Sequence, residues 1–218
     1  MPAIYRFLAV FGATYLVANL LLALPAVREP FLTTFRELSA KTIEWAFSDA
    51  HIETQDAFDA SGRADPNTFY LVYGNPATLR AEQERAVQAG LSEYRASTFS
   101  FQIFLFQLFA VPFFFLISLF VASPMRMAER LKYGTLAILI LLTLLLTKCI
   151  LLAAFHIASS GIGIYQLSES EQSLVSRLVS MMSMGFSIAF SFVLWLGLGF
   201  RNSRFMELFK EIFKEIRR

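Results

Sequence analysis

The sequence predicts an all-α polytopic membrane protein: four transmembrane helices, a mostly helical extracytoplasmic cap between spans one and two, and an amphipathic C-terminal helix. Three observations predict it. Of the 218 residues, 56% belong to the set AVILMFWYC and only 17% are charged. An ordinary soluble domain carries about 25% charged residues, so this chain lacks the polar surface to cover itself. The second observation is the length of its uncharged windows. A helix needs roughly 20 residues to cross a hydrocarbon core of about 30 Å. Windows of that size lie between Arg6 and Arg28, Arg95 and Arg126, and Arg177 and Arg201, and another between Lys132 and Glu169 is broken only by Lys148. The runs are continuously apolar, whereas membrane barrel strands alternate and are shorter. The third observation is the placement of Lys and Arg. With the N-terminus inside, the cytoplasmic pieces sum to +6, the outer pieces to −5, and Lys148 supplies the remaining charge of the net +2. Basic residues stay on the cytoplasmic side during insertion, so both termini are expected on the cytoplasmic side of the membrane.

The first span, within residues 1–28, reads as an uncleaved anchor: its apolar stretch is long for a signal peptide and Arg6 alone precedes it. Residues 29–97 form the extracytoplasmic segment. Phe31, Phe35, Leu38, Thr42 and Ile43 recur at helical spacing with Arg36, Glu37, Lys41 and Glu44 between them. That pattern predicts an amphipathic helix directly after Pro30, closed by Trp45 and Phe47 at interfacial depth. His51 to Asn67 reads as an acidic loop, and Phe69 to Tyr73 as a lone strand-like run that cannot make a sheet by itself. Asn75 followed by Pro76 signals the start of a charged helix reaching Ala89. Asp49, His51, Glu53, Asp56 and Asp59 lack the turn glycine and bidentate glutamate of a calcium loop, so no metal site is assigned. The segment holds too few core positions to stand alone and is expected to lean on the spans or a partner.

The other three spans are placed at residues 98–122, 133–158 and 178–200. Span two is aromatic, with Phe99, Phe101, Phe104, Phe106, Phe109, Phe113, Phe114 and Phe115 around its circumference and Pro112 expected to kink it. Span three carries Lys148, Cys149 and His156. Ionisable groups in a span are costly and therefore functional candidates. Cys149 and His156 share a face but stand about 10.5 Å apart along a straight helix, beyond hydrogen-bond reach, and no span offers a carboxylate to complete a relay. A structural role is the reading preferred for all three. Span four bears Ser176, Ser180, Ser183, Ser187 and Ser191 at intervals of three and four. Such small polar groups let helices approach closely and bridge neighbours, so the stripe is a packing face, favoured inside the bundle over against another protein. Ser168 and Glu171 read as a capping box at its approach.

In the tail, residues 201–218, Phe205, Leu208, Phe209, Ile212, Phe213 and Ile216 fall on one face with alternating charges opposite. The helix is expected to lie on the cytoplasmic leaflet, with docking into a partner's groove as the other reading. Cys149 is the only cysteine, which excludes an intrachain disulfide and any multi-cysteine metal site. Phosphate loops, HExxH, serine elbows and nucleic-acid motifs are absent, so no cofactor, metal or nucleic-acid partner is expected.

Several patches carry a resemblance. The first span opens YRFLAVF, the second ends FVASP before the basic turn RMAERLK, and the last is approached through LSESEQSLVSRL and closes as FSFVLWL. On these the chain resembles the exosortase H-associated membrane proteins, which are encoded beside exosortases, the bacterial polytopic cysteine proteins of a protein-sorting system. No span contains an arginine, so the enzyme's cysteine, arginine and histidine set is not reproduced. The resemblance implies no catalytic residues here. The expected function is a non-enzymatic accessory or assembly subunit of an inner-membrane sorting or export system, binding the bilayer and a partner membrane protein. The competing expectation is a small membrane enzyme or transporter built on Lys148, Cys149 and His156.

Overall fold

The computed structural model describes residues 2–58, 61–90, 96–182 and 184–200. The elements follow in the order α1 (Pro2–Ala23), α2 (Pro25–Ala46), β1 (His51–Phe58), β2 (Ala64–Gly74), α3 (Pro76–Gln88) and β3 (Phe99–Phe104). A π-helical turn at Phe106–Ala110 leads into α4 (Val111–Ala122), then α5 (Met127–Ser159), α6 (Glu169–Met181) and α7 (Met184–Leu194), which ends in a second π-helical turn at Trp195–Phe200. The described chain is mostly helical with one small sheet. Among the described residues two helices are long and apolar enough to cross a membrane, Ile4–Ala23 and Met127–Ser159. Phe106–Ala122 is a shorter apolar helix, and α6 with Gly185–Phe200 qualifies only when the two are counted as one broken span.

The chain divides into two compact units. The first holds α1, α4, α7 and the N-terminal part of α5. Helix α1 packs on α4, and α4 on α7. Rings fill these seams: Phe7 stacks on Trp195 at 5.4 Å, and Phe11 meets Phe115 edge-on at 5.5 Å. The other side of α1 leaves Tyr5, Leu8, Leu16, Val17, Leu20 and Leu21 exposed, a face suited to lipid. In α7 and the turn that follows, Ser187, Ser191, Trp195 and Gly199 are buried, four residues apart, which makes them one ridge.

The second unit holds most of α2, the sheet, α3, the C-terminal part of α5, and α6. Its sheet is antiparallel in the order β1-β2-β3, with Thr54 opposite Leu71 and Leu71 opposite Phe101. Phe69, Leu71, Tyr73, Phe101 and Ile103 form the buried face. Helix α2 buries Leu32, Phe35, Ser39 and Ile43, a stripe with the helical period that Phe47 continues just past its end. Arg36 from the same helix pairs with Asp56 and lies over the Phe69 ring at 5.4 Å.

Several expectations are corrected here. Residues 29–97, expected to be mostly helical, carry a sheet: His51–Phe58 is a strand paired with a long β2, not a loop. The start of the expected second span is β3, so Phe99, Phe101 and Phe104 stand on a strand, and the helix begins only at the turn after it. Composition hid this, because FSFQIF is as free of charge as the helix that follows. Pro112 stands inside the helix Phe106–Ala122, directly after its π-helical turn, where α4 begins. The amphipathic helix begins at Pro25 and carries Pro30 inside it, and the region expected as a single span at 178–200 is divided between α6 and α7.

Candidate functional site

Along α5, Ala137, Leu141, Leu145, Cys149, Ala153 and Ile157 are fully buried, one residue in every four. This ridge of small and aliphatic side chains is the packing seam of the helix. Cys149 lies in the seam. Its thiol donates to the Ser39 hydroxyl at 3.8 Å, and Ser39 donates onward to the Phe35 carbonyl at 2.7 Å. The chain thereby satisfies a buried serine and joins α2 to α5 within the second unit. His156 is used differently. Its ring stacks flat on Phe101, centroids 4.3 Å apart, and its backbone carbonyl accepts a hydrogen bond from the Tyr73 hydroxyl at 3.0 Å. Burial pushes the Tyr73 hydroxyl above its ordinary value, with a hydrogen bond to Ser160 opposing the shift.

Lys148 is half-buried and makes no hydrogen bond or ion pair among the described residues. Lys148, Cys149 and His156 therefore do not bond to one another: the thiol faces α2 and the imidazole faces the sheet. A nucleophile needs its base within hydrogen-bond reach, and the side chains engaged with the thiol and the imidazole are the Ser39 hydroxyl and the rings of Phe101 and Phe155.

In the serine series, Ser187 and Ser191 are buried, Ser176 is half-buried and Ser180 exposed, while Ser183 lies outside the described residues. The Ser191 hydroxyl contacts both the Pro112 carbonyl at 3.2 Å and the Ser187 carbonyl at 2.9 Å, reaching α4 from α7. One turn further, Trp195 Nε1 donates to the Ser123 hydroxyl at 2.7 Å, Ser123 donates to the Leu119 carbonyl at 2.8 Å, and Arg130 donates to the Ser123 carbonyl at 2.9 Å. Where no water is at hand, polar groups must find partners inside the protein, and Ser123 gathers three of them. Phe205, Leu208, Phe209, Ile212, Phe213 and Ile216 lie outside the described residues.

A site not anticipated from the sequence lies on the outer face of the sheet. His51, Glu53 and Gln55 alternate along β1, and with Val72 they floor a cleft of about 430 Å³ walled by Leu79, Arg80 and Gln83 of α3. Local chemistry positions the wall. Asn75 caps α3 by accepting from the Ala77 N–H at 3.0 Å, and its amide donates to the Ile162 carbonyl at 3.1 Å. Glu82 accepts from both the backbone N–H and the hydroxyl of Ser97, tying the segment before β3 to α3. Those two bonds hold its carboxyl below the ordinary glutamate value. The sequence signal for this face was the alternation of His51, Glu53 and Gln55 with Ile52 and Thr54. Among the described residues no cluster of three or more His, Cys, Asp or Glu side chains is placed to hold a metal ion. The chain matches no protein-family model, no curated protein and no solved structure.

Proposed function

We propose that the chain is a non-enzymatic accessory subunit of a bacterial inner-membrane protein sorting or export system, akin to the exosortase H-associated membrane proteins, and that its outer unit binds a partner membrane protein. The observation that carries the reading is the separate engagement of Cys149 and His156. Each is used in holding the second unit together, while the exposed polar chemistry lines the cleft between the sheet and α3. Four spans are proposed, formed by α1, the helix Phe106–Ala122, α5, and the α6–α7 tract. The distribution of Lys and Arg orients them with both termini in the cytoplasm.

This topology relieves the difficulty of Lys148. Helix α5 has 33 residues, about 50 Å at 1.5 Å per residue, well beyond a core of about 30 Å. If the core begins at Tyr133, after the basic turn, Lys148 lies about 22 Å along it. It then stands in the outer part of the bilayer, where a lysine extends its ammonium to the interface. His156 stands beyond the core, beside the sheet.

Co-purification tests the reading. Tagged full-length protein, solubilised mildly from its native membrane, is expected to retain a second membrane protein. Lys148→Leu, Cys149→Ala and His156→Ala are expected to leave that partnership intact when expression is preserved. A wild-type protein that isolates as a partnerless monomer overturns the accessory role. Loss of a cellular phenotype in Cys149→Ala, with expression and assembly unchanged, supports the enzyme or transporter reading instead.

A further inference from the structure

From the order β1-β2-β3, β1 is an edge strand of eight residues, about 26 Å long. All its ladder bonds run to β2, and among the described residues its backbone makes no other hydrogen bond along this length. Every second residue therefore leaves an N–H and a C=O without a backbone partner among the described residues. Such a row is a template for another strand unless the protein blunts it. No proline, lysine or arginine interrupts His51–Phe58, and its one irregularity, between Asp56 and Phe58, lies at the end of the strand.

We propose that this edge receives an extended, basic segment of a partner protein as a fourth strand. Charge decides the occupant. Residues 49–59 contain Asp49, Glu53, Asp56 and Asp59 with no Lys or Arg. Arg36 neutralises Asp56. Glu53, with 60% of its side chain exposed, has His51 at 3.9 Å as its ion-pair contact among the described residues and faces the cleft whose far wall carries Arg80. A second copy is disfavoured, because antiparallel self-pairing sets acidic strand against acidic strand. A strand with Lys or Arg at alternate positions is complementary, and the acidic row excludes unlike partners as it admits this one. Backbone pairing supplies affinity and alternate side chains supply choice. The added strand also lengthens the wall of the cleft that His51, Glu53 and Gln55 already line. The other edge, β3, is shorter and uncharged, and gives no such selection.

The inference rests on the accessory-subunit reading for the existence of a partner, and on β1 alone for its geometry. The test uses the full chain in phosphatidylcholine nanodiscs, free of anionic lipid. The probe is a fluorescent eight-residue peptide with Lys at alternate positions among Thr and Val. Anisotropy is expected to show saturable binding, weakened at least tenfold by N-methylating alternate peptide amides, by replacing Lys with Glu in the peptide, or by Glu53→Lys in the protein. Hydrogen exchange at β1 is expected to slow when peptide is bound. Because Glu53 is exposed, its substitution leaves the fold intact, which circular dichroism verifies. No binding, or equal binding by the N-methylated peptide, overturns the proposal. Spontaneous disulfide formation between copies of a Cys149→Ala, Gln55→Cys protein also overturns it, by placing a second copy at the edge. A native partner that still co-purifies with Glu53→Lys removes strand addition while leaving the accessory role standing. Peptide binding by a protein that co-purifies with nothing does the reverse.

Discussion

At the scale of single residues, the first unit turns on a few sites where small size or a single hydroxyl is required. A Cβ at Gly199 would stand 2.7 Å from Trp195 Cδ1 and 3.3 Å from Phe120 Cε1. Trp195 cannot yield freely, since its Nε1 is bonded to Ser123 and its ring stacks on Phe7. Gly199→Ala is therefore expected to cost about 1–3 kcal/mol, as overpacking does. In a Trp45→Phe background, which leaves one tryptophan, the emission of Trp195 should shift and the thermal midpoint in detergent should fall; an unchanged spectrum and midpoint would refute the argument. The second unit offers a pH-dependent residue. Glu82 is held below its ordinary value by hydrogen bonds from Ser97. Its folded value is depressed, so its contribution is present above the unfolded value and disappears as pH falls through the folded one. Exchange at the Ser97 amide, corrected for the intrinsic rate at each pH, should lose protection on acidification below roughly pH 4.3, the ordinary glutamate value. Ser97→Ala should accelerate it already at neutral pH.

At the scale of elements, the decisive features are the caps and the period of burial. Asn75 has two roles, capping α3 through its oxygen and holding the Ile162 carbonyl through its nitrogen. Asn75→Ala should lose about 1–2 kcal/mol, within the range for a lost N-cap. Asn75→Asp keeps the cap and should recover most of that while leaving the Ile162 carbonyl without its donor. Urea or thermal unfolding of the outer unit in detergent separates the two; equal losses would show that the cap contributes little. The α5 seam can be tested by filling it. Ala153 is fully buried in a row with Cys149 and Ile157, so Ala153→Leu should destabilise by about 1–3 kcal/mol. Ala154→Leu, one position off the seam and only half-buried, should be milder, and the reverse order would contradict the ridge.

At the scale of the whole molecule, topology is the property most open to measurement. In a Cys149→Ala background, a cysteine at Gln55 should react with a membrane-impermeant maleimide added outside spheroplasts, and one at Lys132 only after permeabilisation. The opposite pattern would invert the orientation derived from Lys and Arg. Native Cys149, fully buried against Ser39, should resist labelling in the folded protein. Much of the architecture was legible in local chemistry. The Asn75–Pro76 start, the Ser168–Glu171 capping box, and the apolar stretches of α1 and α5 each require only neighbours in sequence to read. The sheet was not. Phe69–Tyr73 was visible as a strand, but its partners lie in an acidic stretch at 51–58 and in an apolar one at 99–104 that resembles membrane helix. Pairing between strands distant in sequence depends on contacts that neither segment displays alone. The same holds for Cys149 and His156: spacing kept them apart along one helix, but only the packing of α2 and the sheet on α5 gave each its separate partner. By itself the sequence determined hydrophobic partition and charge asymmetry, because those depend on which residues occur and in what order along the chain. The tertiary structure decided the strands, the cleft and the exposed edge, because hydrogen-bond pairing and burial are properties of segments brought together in space.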